Sequence, residues 1–215
     1  IYSPIMNHIV LLGDSVFDNK AYIDGGLDVI EQIRRQIPAG WTASLIAVDG
    51  SVVENVRKQV IDLPDDATHL VISAGGNDAI LNAGILQQKV ASSAEVLDKL
   101  ADIAGEFERQ YREMLQSVLS LNKPTAVCTI YYPRIPEPFT QKIAVAALAT
   151  FNDAIIRLAF MSGVPLIDLR LVCDEDSDYA NEIEPSEKGG GKIANAIVRL
   201  VSDHNFESRR TEVFL

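Results

Sequence analysis

Three short stretches carry residues suited to acyl-transfer chemistry, and each directly follows an apolar run of strand length. The first is Gly13-Asp14-Ser15-Val16. A serine whose hydroxyl stands at a sheet edge can attack a carbonyl, and its own backbone N–H can then hold the developing oxyanion. The same residues also suit a polar turn with a helix N-cap, since Asp and Ser favour both roles. The second stretch, Asp49-Gly50-Ser51, offers a glycine N–H that no side chain obstructs. Taken alone it reads as a strand-to-helix turn capped by Ser51. In the third, Gly75-Gly76-Asn77-Asp78, Asn77 supplies a neutral amide donor that keeps its proton beside a basic partner. An Asx turn before a short helix is its alternative. Each signal is weak singly, but together they bring Ser, Gly and Asn in chain order to one kind of position.

The runs that must deliver these turns are His8–Leu12, Ala43–Val48, His69–Ala74, Thr125–Tyr131 and Pro165–Leu169. Most are continuously apolar, as parallel strands buried on both faces are. Between them apolar residues recur at helical spacing, as in Leu27, Ile30, Ile33 and Ile37, or Val52, Val56 and Val60. Longer stripes run from Leu97 to Val118, from Ile143 to Leu158 and from Ile193 to Val201. This alternation predicts an α/β fold, a three-layer αβα sandwich around a five-stranded parallel sheet with flavodoxin-like order. Ligands of such sheets bind beyond the carboxyl ends of the strands, which is where the three turns lie. Residues 1–215 read as a single domain, with 1–6 an added or unstructured start and Met6 the natural beginning. Residues 205–215 form a tail that loses the pattern, suited to a frayed end or an oligomer contact. The loop from Tyr131 to Phe139 follows the fourth strand, and its aromatics and prolines suit a rigid wall of the site. Asp14, Tyr131 and Tyr132 are therefore candidate substrate-binding residues.

On these residues the sequence resembles the SGNH, or GDSL, hydrolase family. The family's first block matches Gly13-Asp14-Ser15, its second Gly50, and its third Gly75-Gly76-Asn77-Asp78. The resemblance implies a serine nucleophile at Ser15. It also implies an oxyanion hole formed by the Ser15 and Gly50 N–H groups and the Asn77 side chain. The family's last block, Asp-x-x-His-Pro-Ser followed by Gly, aligns with the stretch from Asn181 to Gly189 through Pro185, Ser186 and Gly189. Glu184 then stands where the family has its histidine base, and Asn181 where it has the orienting Asp.

No other histidine takes the role. His8 and His69 open strands, at the opposite end of the sheet from Ser15. His204 lies 20 residues beyond Glu184, on or after the final helix. Two readings of Glu184 compete. In one it is a carboxylate base, with the Asn181 amide donating to it and Asp178 sharing its proton. An unperturbed Glu (pKa ~4.3) is weaker than His (~6.5), a gap worth up to ~3 kcal/mol of proton-transfer driving force. Burial narrows that gap, and this reading expects activity that persists at mildly acidic pH. In the other, Glu184 is a solvated residue near a helix N-terminus and the site is degenerate, binding an acylated ligand without turnover.

Composition narrows the remaining classes. The chain has 215 residues, 47% of them hydrophobic, and a net charge of −11. That charge disfavours nucleic acid, whose phosphates need clustered Lys and Arg. Neither a Gly-x-x-x-x-Gly-Lys-Ser/Thr loop nor a Gly-x-Gly-x-x-Gly turn is present, and Gly189–Gly191 reads as the start of a helix rather than a phosphate cradle. Asp14, Asn77 and Asp78 offer oxygen ligands without a neighbouring histidine, so no metal and no cofactor is expected. Cys128 and Cys173 read as reduced structural thiols. With no stretch approaching ~18 apolar residues, no membrane span is expected, and a cytoplasmic location is the simplest reading. The expected partner is a small acyl ester or thioester.

Overall fold

Strand β1 (His8–Gly13) is buried along its whole length, and its alternating side chains feed two separate cores. Ile9 and Leu11 join one apolar cluster, while Val10 and Leu12 join the other. A continuously apolar strand therefore has a partner layer on each face. These statements come from a computed structural model that describes residues 7–215; the expectation for residues 1–6 lies outside them.

After β1 come helix α1 (Val29–Gln36), β2 (Thr42–Leu45), α2 (Val53–Gln59), β3 (His69–Ser73), α3 (Gly76–Leu81) and α4 (Ser93–Leu119). The chain continues through β4 (Thr125–Cys128), α5 (Pro138–Ser162), β5 (Leu166–Ile167), α6 (Leu169–Val172), α7 (Glu187–Asp203) and β6 (Val213–Phe214). The sheet order is β2-β1-β3-β4-β5-β6, with every pair parallel. Helices α1, α6 and α7 cover one face, and α2, α4 and α5 cover the other. Local signals set the helix ends. Asp28 and Glu31 form a capping box on α1. Pro138 opens α5, and Gly163 closes it in the left-handed conformation.

The three-layer α/β architecture is the expected one, but the sheet has six strands rather than five. The sixth comes from the tail, whose Val213 and Phe214 pair with β5 and are not frayed. Glu212 accepts the Leu166 N–H at 2.9 Å and Phe214 accepts the Asp168 N–H at 3.0 Å, while the Phe214 side chain is buried. A two-residue strand with one inward side chain has no periodicity to detect.

Helix α5 also departs from expectation. Its length and a mean hydropathy of 1.6 in its most apolar window suffice to cross a membrane. In this fold its second half packs into the core, with Phe151, Asn152, Ala154, Ile155, Leu158 and Ala159 buried.

Candidate active site

The turn after β1 is held from the backbone outward. Gly13 has φ 124°, and a Cβ there would stand 1.7 Å from the Ser73 carbonyl oxygen. That same carbonyl accepts the Asp14 N–H at 3.1 Å. Ser15 thus leaves the sheet between β1 and β3, the switch point where neighbouring crossovers diverge. The turns after β2 and β3 are tied to each other. Asn77 Nδ2 donates to the Ser51 carbonyl at 2.9 Å, and Asp78 accepts the Val53 N–H at 3.0 Å. Gly50 adopts φ 77°, where a side chain would be strained. Neither the Ser15 nor the Gly50 N–H has an acceptor among the described residues, and Asn77 keeps a second amide hydrogen.

Gln59 is a positioning residue that no motif announced. From α2 it accepts the Gly13 N–H and donates to the Gly13 carbonyl, both at 2.8 Å. Its amide also reaches Ser51 Oγ at 3.3 Å, joining the first two turns. The one available signal was a polar residue close to the apolar stripe of α2.

Glu184 arrives from an irregular loop before α7. Ser15 Oγ donates to Glu184 Oε1 at 3.0 Å, and Glu184 is only 5% exposed. The loop is pinned on several sides. Tyr131 O–H donates to the Ile183 carbonyl at 2.6 Å; Ala180 N–H donates to the Glu184 carbonyl at 2.8 Å; Asn19 Nδ2 donates to the Pro185 carbonyl at 3.3 Å. Gly189 lets α7 meet the loop, since a Cβ there would lie 2.0 Å from the Asp178 carbonyl oxygen.

Three expectations change here. Asn181 is exposed, and its Oδ1 accepts the Ile183 and Glu184 N–H groups at 2.9 Å each. It shapes the backbone of the loop and does not donate to the Glu184 carboxylate. An Asx turn satisfies the oxygen locally and points the amide away. Asp178 is fully buried but engaged elsewhere, with Lys192 Nζ at 2.8 Å and the Glu175 N–H at 2.9 Å. Tyr132 does not line the site; its carbonyl accepts the Tyr179 hydroxyl at 2.8 Å. Successive residues of an extended segment point to opposite sides, and here the inward ones are Tyr131, Pro133 and Ile135.

The histidines lie apart, as their chain positions suggest. His8 contacts Asp66 and Ser44, His69 stacks on Trp41, and His204 pairs with Glu212.

Burial dominates the electrostatics. It raises the Glu184 carboxyl to about 7, with the Asp49 charge adding and the Ser15 hydrogen bond opposing. Glu184 Oε2 has no hydrogen-bond partner among the described residues. Asp14 is raised to about 8, first by burial and then by Glu184 and Asp78, against the Val16 N–H. Near neutrality Asp14 is therefore largely protonated and repels the Glu184 carboxylate little. A hydroxyl donating to a buried carboxylate, beside free N–H donors, is an arrangement able to form and stabilise a tetrahedral adduct.

Asp14, Ser15, Asn77, Tyr131 and Glu184 open together onto one cavity of ≈ 240 Å³. Gly50 is outside its lining and reaches the group through the Ser51–Asn77 link. The rest of the wall, which sequence reasoning did not assign, comes from α3, α4 and α5.

The profile of the GDSL-like lipase/acylhydrolase family matches residues 11–190. No curated protein sequence matches the chain. Among solved structures, a member of the lipolytic G-D-S-L family from Veillonella parvula superposes with TM-score 0.68 at 14% identity, covering 92% of this chain and 99% of that one. An extracellular lipase from Streptomyces rimosus gives 0.64 at 16%, covering 92% and 100%. Phospholipase A1 from Streptomyces albidoflavus gives 0.62 at 18%, covering 93% and 100%. At such identities the superpositions establish the shared αβα fold. The profile match, spanning all four blocks from the strand-end turns to the Glu184 loop, establishes that the chain belongs to the GDSL-like lipase/acylhydrolase family.

Proposed function

We propose that this protein is a serine esterase or acylhydrolase in which Ser15 is the nucleophile and Glu184 replaces histidine as base. The observation that carries the reading is the 3.0 Å hydrogen bond from Ser15 Oγ to the buried Glu184 Oε1. Ser15 Oγ bonds to the ester carbonyl carbon while its proton passes to Glu184. The oxyanion is held by the Ser15 and Gly50 N–H groups and the Asn77 amide. Collapse breaks the C–O bond to the alcohol, which leaves with the proton returned by Glu184. Water then attacks the acyl-enzyme, giving its proton to Glu184, and the acid departs as Ser15 recovers its hydrogen.

A base near 7 matches a histidine, so most of the ~3 kcal/mol handicap of an ordinary carboxylate disappears. The acid tolerance that an unperturbed Glu suggests gives way to a rate that falls below neutral pH. A second reading, an acyl-binding protein without turnover, draws on the unpartnered Glu184 Oε2, because no third group orients the base.

The test is a pH–rate profile on p-nitrophenyl esters for wild type, Ser15→Ala, Glu184→Gln and Glu184→His. The expected result is a kcat/KM rise through pH about 7 in wild type, with ~10²–10⁴-fold loss in Glu184→Gln. Full activity in Glu184→Gln, with Ser15→Ala inactive, overturns the carboxylate base. A Ser15→Ala protein as active as wild type overturns the hydrolase reading itself.

A further inference from the structure

The cavity beside Ser15 is built by two helices that outrun the sheet. The buried residues of α4 begin at Phe107 and those of α5 at Phe151. The preceding halves of both helices, each about 20 Å long at ~1.5 Å per residue, project past the carboxyl ends of the strands. Leu100 and Ile103 from α4, Ala144, Ala147 and Leu148 from α5, and Ile85 from the turn after α3 face one another across the slot. Phe151 forms part of its lining where α5 turns into the core. The groups around Ser15 make one end polar, and the far wall is hydrocarbon.

We infer that this slot receives the acyl part of the substrate as a straight chain of about eight carbons. The inference rests on the reading of Ser15 as nucleophile, which sets the carbonyl at the polar end. A volume of ≈ 240 Å³ divided by ~30 Å³, the liquid share of a water and close to that of a methylene, gives on the order of eight carbons. An acetyl group leaves most of the apolar wall uncovered, and a sixteen-carbon chain exceeds the space.

The experiment has a kinetic and a binding arm. In the first, kcat/KM is measured on p-nitrophenyl esters from two to sixteen carbons, for wild type and Ala147→Trp, which fills the slot. Burying each methylene is expected to raise wild-type kcat/KM about twofold to fourfold up to eight carbons, with no gain beyond. Ala147→Trp is expected to lose the eight-carbon preference, so that kcat/KM no longer rises with acyl length. In the second arm, calorimetry follows 2-nonanone, an uncharged and unhydrolysable chain of matching length, binding to the Ser15→Ala protein with and without Ala147→Trp. Tight binding of 2-nonanone relative to acetone, abolished by the tryptophan, supports the slot even if no ester is turned over. Three results overturn the inference: a maximum at acetyl, a rise continuing to sixteen carbons, or binding and preference unchanged by Ala147→Trp. Loss of turnover with binding intact would sink the serine-hydrolase reading alone.

Discussion

The Ser15 turn and the Glu184 loop meet across a single hydrogen bond, yet they are held in different ways. The Ser15 turn is an extension of the sheet: β1 and β3 pair in register up to Gly13 and Ser73, and the next backbone bond places Asp14. The Glu184 loop has one isolated bridge, Tyr179 to Pro185, a backbone bond from the Arg134 N–H to the Glu182 carbonyl at 2.7 Å, and side-chain contacts from its own residues and from elsewhere in the chain. Tyr131, Asn19 and Asn181 each contribute one or two hydrogen bonds to it. Ser15 is thus coupled to global stability. Glu184, which accepts its hydrogen bond, rests on local contacts whose opening costs less than unfolding.

Matched glycine substitutions give the largest expected contrast. Gly13→Ala drives a Cβ into the Ser73 carbonyl at a positive φ and strikes the pairing of β1 with β3. We expect a loss above ~4 kcal/mol, read as failure to recover folded protein. Gly189→Ala meets the Asp178 carbonyl instead, so the loop is displaced while the sheet stands. Expected are near-native circular dichroism and a kcat/KM fall of about 100-fold, as for an ångström-scale misplacement. Equal melting temperatures for the two variants would erase the distinction.

A gentler probe is Tyr131→Phe. It leaves the Ile183 carbonyl without its donor, which costs about 1 kcal/mol of stability by denaturant titration. We expect kcat to fall about tenfold with KM nearly constant, since the ring still lines the cavity. A change in KM alone would make Tyr131 a substrate contact and not a support of the loop.

The last effect concerns pH. Asp14 and Glu184 rise to about 8 and about 7 in the fold, from ~4 in the unfolded chain. Between pH ~4 and 8 the native state therefore binds more protons than the unfolded one. Stability from these groups is present at the acid end of that window and is lost as pH rises through it. The melting temperature is expected to fall between pH 5 and 8, and Asp14→Asn to flatten that slope. An unchanged slope would remove Asp14 from the linkage.

Legibility in the sequence follows the same division. Ser15, Gly50 and Asn77 were readable because each sits one to a few residues beyond a buried strand, a relation local in the chain. The Glu184 position was readable from Pro185, Ser186 and Gly189, although its strength as a base was not. Asn181 was assigned to the wrong atoms, because Asx-turn geometry depends on where the loop bends. Tyr132 was assigned to the wrong side of an extended segment, Gln59 offered only a polar residue close to the apolar stripe of α2, and Asn19 carried no local signal. Strand β6 escaped because two residues hold no period.

Residue type and spacing, by themselves, determined the layered α/β fold, the order in which three turns reach one sheet edge, and the absence of a histidine at the base position. Tertiary structure alone decided the burial that raises the Glu184 carboxyl, the partner of each loop oxygen, the sixth strand and the size of the cavity beside Ser15. The reason is physical. Periodicity and turn chemistry act over a few neighbouring residues, whereas desolvation, hydrogen-bond partnership and enclosed volume exist only once distant segments have packed together.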